Sequence, residues 1–362
     1  MKILHVTNAV GWSGGMEQIS LLIRELEKRN HQNFLICPPH SELIQKLNST
    51  KAEIKIITMF QDYDLIAAWK LNQFIKETQP DVVHTHHATA HAIALIALMF
   101  CKKPPLIVSR RVSFSPRKNP FSQFKNRSNR ITKYSVVSHA VKDTLVEGGV
   151  NPSKIEVVYS AVNPQTFMVH RSAQEIRREL KISEEAFVIG KVANHSFWKG
   201  QHIFLEAAEK VLSKQKNAVF ILVGKGTENL DELVNKLCIS DSVRLLGFRK
   251  DIPEILSIFN LSVNAAIEGE GLSGAVRESF FMKVPVVASD VAGNREIVKD
   301  GETGFLVRPN NPNDLSDKIL NVLENQERAI KMAEKGRAWV MENATIEKMT
   351  ENFLKLYQSV LK

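Results

Sequence analysis

No stretch of this chain stays apolar long enough to cross a bilayer. The best candidate, Ala88 to Cys101, holds His91 and ends after about 14 residues, short of a spanning helix, and reads as a buried helix. Cysteine is scarce: Cys37, Cys101 and Cys238 are odd in number and far apart, which excludes a disulfide framework and a cysteine-based metal knuckle. Small buried thiols in a reducing compartment are expected instead. The chain opens on the strand-like run Lys2-Ile3-Leu4-His5-Val6-Thr7 without a secretory signal, so the expected location is the cytoplasm. Acidic residues are missing between Asp81 and Asp143, where eleven basic ones lie. Residues 1–170 carry 21 Lys and Arg against 12 Asp and Glu, and the remainder 27 of each, so the net charge of +9 belongs to the first part alone. That asymmetry points to an anionic partner.

What is present is an ordinary globular composition, 44% hydrophobic and 24% charged over 362 residues, long enough for two domains. β-rich runs at Ile3–Thr7, Asn33–Cys37, Ile54–Thr58, Asp81–Thr85, Leu106–Ser109, Tyr134–Ser138 and Ile155–Tyr159 alternate with helical patterns such as Met16–Asn30 and Asp64–Thr78. The rhythm breaks over the polar segment Ser160 to Glu185. It resumes at Val188–Ala193, Val219–Val223, Val243–Leu246, Leu261–Asn264, Val284–Ala288 and Gly304–Val307, and the tail from Asn311 reads as successive helices. Alternation of this kind implies an α/β fold of two doubly wound parallel-sheet domains, expected at 1–170 and 171–362. Ligands in such sheets sit beyond the carboxyl ends of the strands, so the loops there are the places to look for chemistry.

The most informative loop is Glu268-Gly269-Glu270-Gly271-Leu272-Ser273-Gly274-Ala275-Val276-Arg277-Glu278, followed by the strand Val284 to Ser289. Gly271-Leu272-Ser273 would form the turn into a helix reaching about Met282, whose free N–H groups favour oxygen-rich, anionic ligands. Glu270 could accept hydrogen bonds from sugar hydroxyls, and Glu278 could bridge a vicinal diol such as a ribose. Equally, Ser273 could be an ordinary N-cap and the acids could simply favour the helix dipole; spacing alone leaves both readings open.

The combination resembles glycosyltransferase family 4. The resemblance rests on the spaced glutamates with Val284-Pro285-Val286-Val287-Ala288-Ser289, on Gly293-Asn294-Arg295-Glu296-Ile297-Val298 and on Asp300-Gly301-Glu302-Thr303-Gly304-Phe305-Leu306-Val307. It continues through Lys199-Gly200, Leu222-Val223-Gly224-Lys225-Gly226, Val243 to Phe248 and Asp81-Val82-Val83-His84. It implies a GT-B fold, two Rossmann-like domains facing across a cleft, and retaining transfer from a nucleotide-sugar without a metal cofactor. By the resemblance Glu278 would bind the donor ribose, Glu270 the sugar hydroxyls, and the amides of Gly271, Leu272 and Ser273 would line the donor site with Gly224. Lys199 would reach the diphosphate, and the backbone at Gly14 and Gly15, in a loop lacking the dinucleotide-binding glycine spacing, would approach the donor. Lys199 and Glu270 are the expected catalytic residues.

Three departures stand out. Where the family usually has a diphosphate-binding Arg, five residues before the Lys, this chain has Asn194, which carries no charge. Where many relatives place a His after the strand ending at Ser109, this chain has Arg110 and Arg111, which suggests an anionic sugar or acceptor. The usual Asn-Gly-Val-Asp linker is Ser160-Ala161-Val162-Asn163.

His84, His86, His87 and His91 invite a metal reading, but small apolar residues surround them and no acid or cysteine is near in sequence; the resemblance implies chemistry without a metal and a His-x-His at this strand end, so no metal site is expected and His86 would meet the acceptor. The acceptor would be a glycan or lipid-linked molecule such as lipopolysaccharide or another envelope polysaccharide, and the donor a UDP-sugar. The basic stretch from Lys102 to Lys142 interleaves Arg117, Lys118, Lys125, Arg127 and Arg130 with Phe114, Phe121 and Phe124, around a Pro116–Pro120 loop. This pattern suits the surface of an anionic membrane, and peripheral docking on its inner face is expected. Two other functions fit part of the pattern: a nucleotide-sugar epimerase or phosphorylase of the same fold, and a non-catalytic binder of anionic polymers. Nucleic acid is not an expected partner, since no aromatic-and-basic binding module is present.

Overall fold

The computed structural model describes residues 1–99, 103–114 and 119–361. Cys101, Lys102, Pro116, Arg117 and Lys118 therefore lie outside the described residues. The chain divides into two compact units, Met1–Ala161 with Ile346–Lys362, and Val162–Thr345.

The first unit is built on seven parallel strands: β1 (Lys2–Val6), β2 (Gln32–Cys37), β3 (Glu53–Ile56), β4 (Val82–Thr85), β5 (Leu106–Arg110), β6 (Ile131–Val136) and β7 (Ile155–Val157). They lie in the order β3-β2-β1-β4-β5-β6-β7. The second unit has six: β8 (Phe187–Val192), β9 (Ala218–Val223), β10 (Val243–Leu245), β11 (Leu261–Asn264), β12 (Val286–Ser289) and β13 (Phe305–Val307), in the order β10-β9-β8-β11-β12-β13. The central strands are almost wholly buried, as in Phe34-Leu35-Ile36-Cys37 and Phe220-Ile221-Leu222-Val223, because helices cover both faces of a parallel sheet. In each unit the strand order reverses once, between β1 and β4 and between β8 and β11. Crossovers on either side of such a point leave by opposite faces, so the following loops diverge and open a crevice.

The helices follow from their apolar stripes and caps. Met16, Ile19, Leu22, Ile23 and Leu26 form the buried face of the helix Gly14–Lys28, which Ser13 caps by accepting from the Met16 N–H. In the helix Leu65–Thr78, Asp64 caps the first turn with a bond from the Ala67 N–H at 2.9 Å.

The domain division differs from the one expected at 170/171. The last helix, Ile346–Leu361, belongs to the first unit, where Ile346, Met349, Phe353, Leu356 and Tyr357 pack with Ile3, Leu22, Leu26, Val82 and Ile107. Burying each large side chain of this stripe contributes roughly 1.5–3 kcal/mol, enough to decide where an amphipathic helix lands. Periodicity shows that the helix has a face to bury and leaves open which core receives it.

Candidate active site

In the second unit, the loops after β8 and β11 meet at the strand-order reversal. Lys199 ends the 3-10 turn Phe197–Lys199, and Gly200 follows at φ +63°, where a Cβ would stand 2.0 Å from the Ala265 carbonyl oxygen. Only glycine permits that approach, which ties the two loops together with the Ile267 N–H to Trp198 O bond of 2.8 Å. Across this junction Lys199 Nζ lies 2.7 Å from Glu270 Oε1. Glu270 is buried, whereas the Lys199 side chain keeps 38% of its exposure, so the ammonium is the open end of the pair.

Glu270 is held by a second residue. Asn264, the last residue of β11, donates from Nδ2 to Glu270 Oε1 at 3.3 Å and to Ser273 Oγ at 2.8 Å, while its Oδ1 accepts from the Ala266 N–H at 3.1 Å. Ser273 caps the helix Gly274–Phe281, accepting from the Val276 N–H, one of the two readings that the spacing left open. Burial acts to raise the Glu270 carboxyl, but Lys199, then Asn264 and Lys191, oppose it and hold it below its usual range, so it is ionised. Gly271 and Leu272 are buried at the mouth of the helix, whose first-turn N–H groups have no intrahelical acceptor. Glu278 lies partly buried on the next turn.

Asn194 is exposed and turned toward the loop after β9: its Oδ1 accepts from the Lys225 N–H at 3.0 Å. Gly224, which opens that loop at φ +144°, abuts the loop after β8 so closely that a Cβ would stand 2.2 Å from the Ala193 carbonyl oxygen. The fold itself therefore requires glycine there. Asn194, Lys199, Gly224 and Glu270 to Glu278 are thus gathered on one edge of the second unit's sheet.

In the first unit, the loops after β1 and β4 meet in the same way. Gly14 and Gly15 begin the helix Gly14–Lys28; a Cβ at Gly14 would meet open space, and one at Gly15 would touch Arg111 Cδ at 3.8 Å. Behind Arg111 lies a chain of imidazoles. Asn33 donates from Nδ2 to the His31 carbonyl at 3.1 Å, which turns its Oδ1 toward His5 Nε2, 3.3 Å away. His5 Nε2 therefore carries the proton, His5 Nδ1 accepts from His86 Nε2 at 3.1 Å, and His86 Nδ1 accepts from the Arg111 guanidinium at 3.2 Å. His84 is engaged by Tyr357 Oη at 2.8 Å and Ser109 Oγ at 2.7 Å, and His87 Nδ1 by Thr7 Oγ1 at 2.7 Å.

His5, His84 and His86 place nitrogens within 4.8 Å of one another, the spacing a metal would need. Every one of those nitrogens has a hydrogen-bond partner among the described residues, and the Arg111 guanidinium adjoins the group. Burial, with Arg111 adding to it, lowers the His5 and His87 pKa values to about 4 and those of His84 and His86 well below their usual value. The group is therefore neutral at pH 7. His86 is buried with both nitrogens engaged, and Arg111, whose own pKa burial lowers to about 10, stands against it. Arg110 turns elsewhere: it donates to the Phe114 carbonyl, and its Nε is buried without a partner.

Three residues escaped the sequence reading. Each carried a signal, a polar side chain inside an otherwise apolar strand, but for His5 the partner, 81 positions away, left no local trace.

The profile described as Glycosyltransferase Family 4 matches residues 13–166, and that of Glycosyl transferases group 1 matches residues 172–339. The chain is similar to the N-acetyl-alpha-D-glucosaminyl L-malate synthase of Bacillus anthracis, 25% identical over 98% of this chain and 95% of that protein. It is also similar to the UDP-Gal:alpha-D-GlcNAc-diphosphoundecaprenol alpha-1,3-galactosyltransferase of Escherichia coli, 25% identical over 89% and 90% of the two. Among solved structures, Anabaena Alr3699/HepE in complex with UDP-glucose superimposes with a TM-score of 0.87 at 20% identity, covering 99% of this chain and 100% of that one, and so shares its fold. Two parallel-sheet units, the glutamate-bearing loop and profile matches across both halves lead to one conclusion: the chain belongs to glycosyltransferase family 4 and is a glycosyltransferase of GT-B fold.

Proposed function

We propose that the protein transfers a sugar from a UDP-sugar, with retention of configuration, to an anionic glycan or lipid-linked acceptor of the cell envelope. The observation that carries the donor half is the Lys199–Glu270 pair, 2.7 Å apart, beside the amide-rich start of the helix Gly274–Phe281 at the β8/β11 reversal. In this reading Lys199 and those amides stabilise the leaving diphosphate, Glu270 orients the sugar hydroxyls and Glu278 holds the ribose. The acceptor hydroxyl attacks from the same face, its proton passing to the departing phosphate, and no metal is required. Gly14 supports a ligand's approach from the first unit, since nothing in the fold fills the space beside it. Support for an anionic acceptor comes from Arg111 and from the relatives' names, one containing L-malate, the other a diphosphoundecaprenol. The donor is tested by calorimetry with UDP and UDP-sugars. Glu278→Ala is expected to weaken UDP and UDP-sugar alike, by about 2–4 kcal/mol, because two hydrogen bonds to an ionised group are lost from the shared ribose. Wild-type affinity in the variant would remove Glu278 from that role.

The membrane half rests on exposed aromatics. Phe60 is 84% exposed, and Tyr63, Leu65, Ile66 and Trp69 are exposed with it at the start of the helix Leu65–Thr78. Lys125 Nζ, 2.7 Å from Asp62 Oδ2, ties this group to the helix Pro120–Arg127, where Phe121 and Phe124 are exposed beside Arg127. No described helix is long and apolar enough to cross a membrane. The surface suits docking on the anionic inner face from the cytoplasm, each basic residue near the lipid contributing about 1 kcal/mol. The protein is expected to co-sediment with anionic vesicles at low salt and to be released at high salt, and Trp69→Ser with Phe124→Ser should abolish the binding. Equal affinity for neutral vesicles, or none for either kind, would assign the basic surface to a soluble acceptor.

A further inference from the structure

Lys191 is the one lysine of the second unit's sheet that the fold encloses, with 2% of its surface exposed. It stands one residue before the end of β8, on the same face as Phe187 and Ile189, beside Leu222 of β9 in register and under the helix Gln201–Lys214. Among the described residues its ammonium has no hydrogen-bond or ion-pair partner. The charges that reach it are Lys199, Glu270 and, from the helix above, His202; β9 and β11 place only apolar side chains on that face. Glu270 is already paired with Lys199, so this corner holds one cation more than the protein neutralises. Three residues further along, at the strand's exit, stands the uncharged Asn194.

We propose that Lys191 is the second cation of the donor diphosphate site, supplying from beneath the end of β8 the charge that Asn194 lacks. The inference rests on the donor reading given above. A buried ammonium without a counter-ion is strongly disfavoured. Burial first, then the like charge of Lys199, lowers the Lys191 pKa to about 7, against a smaller opposing effect of Glu270. A diphosphate bound over the Lys199–Glu270 pair reverses that balance, because an opposite charge favours the protonated form. Nucleotide binding and protonation of Lys191 are therefore coupled, and affinity falls as pH rises above 7.

The test is titration calorimetry of the full chain with UDP, whose phosphates are fully ionised at pH 8, in buffers of different ionisation enthalpy. Wild type is expected to take up roughly 0.9 proton per UDP at pH 8, and its Kd to rise nearly tenfold per pH unit from there to pH 9. Lys191→Met should take up none and bind UDP at least about tenfold more weakly at pH 7, with a Kd independent of pH in this range. As it removes an unpaired buried charge, its unliganded form should melt higher than wild type, which separates lost binding from lost folding. Adding Asn194→Arg to Lys191→Met should recover the affinity without the proton. Unchanged proton uptake or unchanged affinity in Lys191→Met would overturn the proposal and leave Lys191 as a structural balance to Glu270. If wild type bound none of UDP, GDP and ADP, the donor reading itself would fall, and this inference with it.

Discussion

Lys199→Ala is expected to lower kcat by roughly 10²–10³-fold while raising KM far less, the range seen when one donor to a developing anion is removed. The ammonium is the open end of an otherwise buried pair, 2.7 Å from Glu270, and the position that would share its work is occupied by the uncharged Asn194, whose Oδ1 accepts from the Lys225 N–H. Charge grows on the diphosphate as the glycosidic bond breaks, so the lysine acts most strongly in the transition state. A second consequence follows from the pairing. Without Lys199, Glu270 keeps only Asn264 and the charge of Lys191 against its burial, and its carboxyl should move up toward the ordinary range. Steady-state kinetics across pH separates the two effects. A loss of kcat at every pH belongs to the missing cation, while one that grows toward acid belongs to Glu270. An unchanged kcat with a raised KM would restrict Lys199 to holding the ground state.

The first unit should lose most of its stability between pH 6.5 and pH 4. His5 and His87 are lowered to about 4 and His91 to about 3, each chiefly by burial, and His84 and His86 are likewise held well below their usual value. In that window the unfolded chain binds protons that the folded chain refuses, so stability rises with pH and is lost as pH falls. At pH 5 the loss is roughly 2 kcal/mol for each such histidine, and several together approach the 5–15 kcal/mol that holds a whole domain. The second unit has no such cluster among its described residues. Urea unfolding at pH 7.5 and pH 5, with limited proteolysis mapping which part opens, should show the first unit yielding early at pH 5. His91→Phe keeps the edge contact that the ring makes with Tyr134, 6.2 Å between centroids, and should lower the protons taken up on unfolding by about one. Equal stability of the first unit at both pH values would mean that water enters the cluster and solvates the charged imidazoles.

The sequence by itself determined the alternation of strands and helices, the two parallel sheets and the glutamate-bearing loop at the start of a helix. These are local properties. A strand buried on both faces must be apolar along its length, as in Ala218–Val223, and a helix on a sheet must repeat its apolar residues every three or four positions, as in Gly14–Lys28. Ser273 could be read as a cap because capping concerns residues three apart. Only the tertiary structure decided the rest. The last helix carries an apolar stripe that would suit either core, and it joins the first unit, where Tyr357 meets His84 across 273 positions. Lys199 finds Glu270 across 71 positions and His5 finds His86 across 81, in both cases because crossovers diverge where the strand order reverses and bring distant loops to one edge. The neutrality of the histidines and the enclosure of Lys191 depend on the helices that cover them. Burial of a charge is a property of the packed sheet, and no window of neighbouring residues contains it.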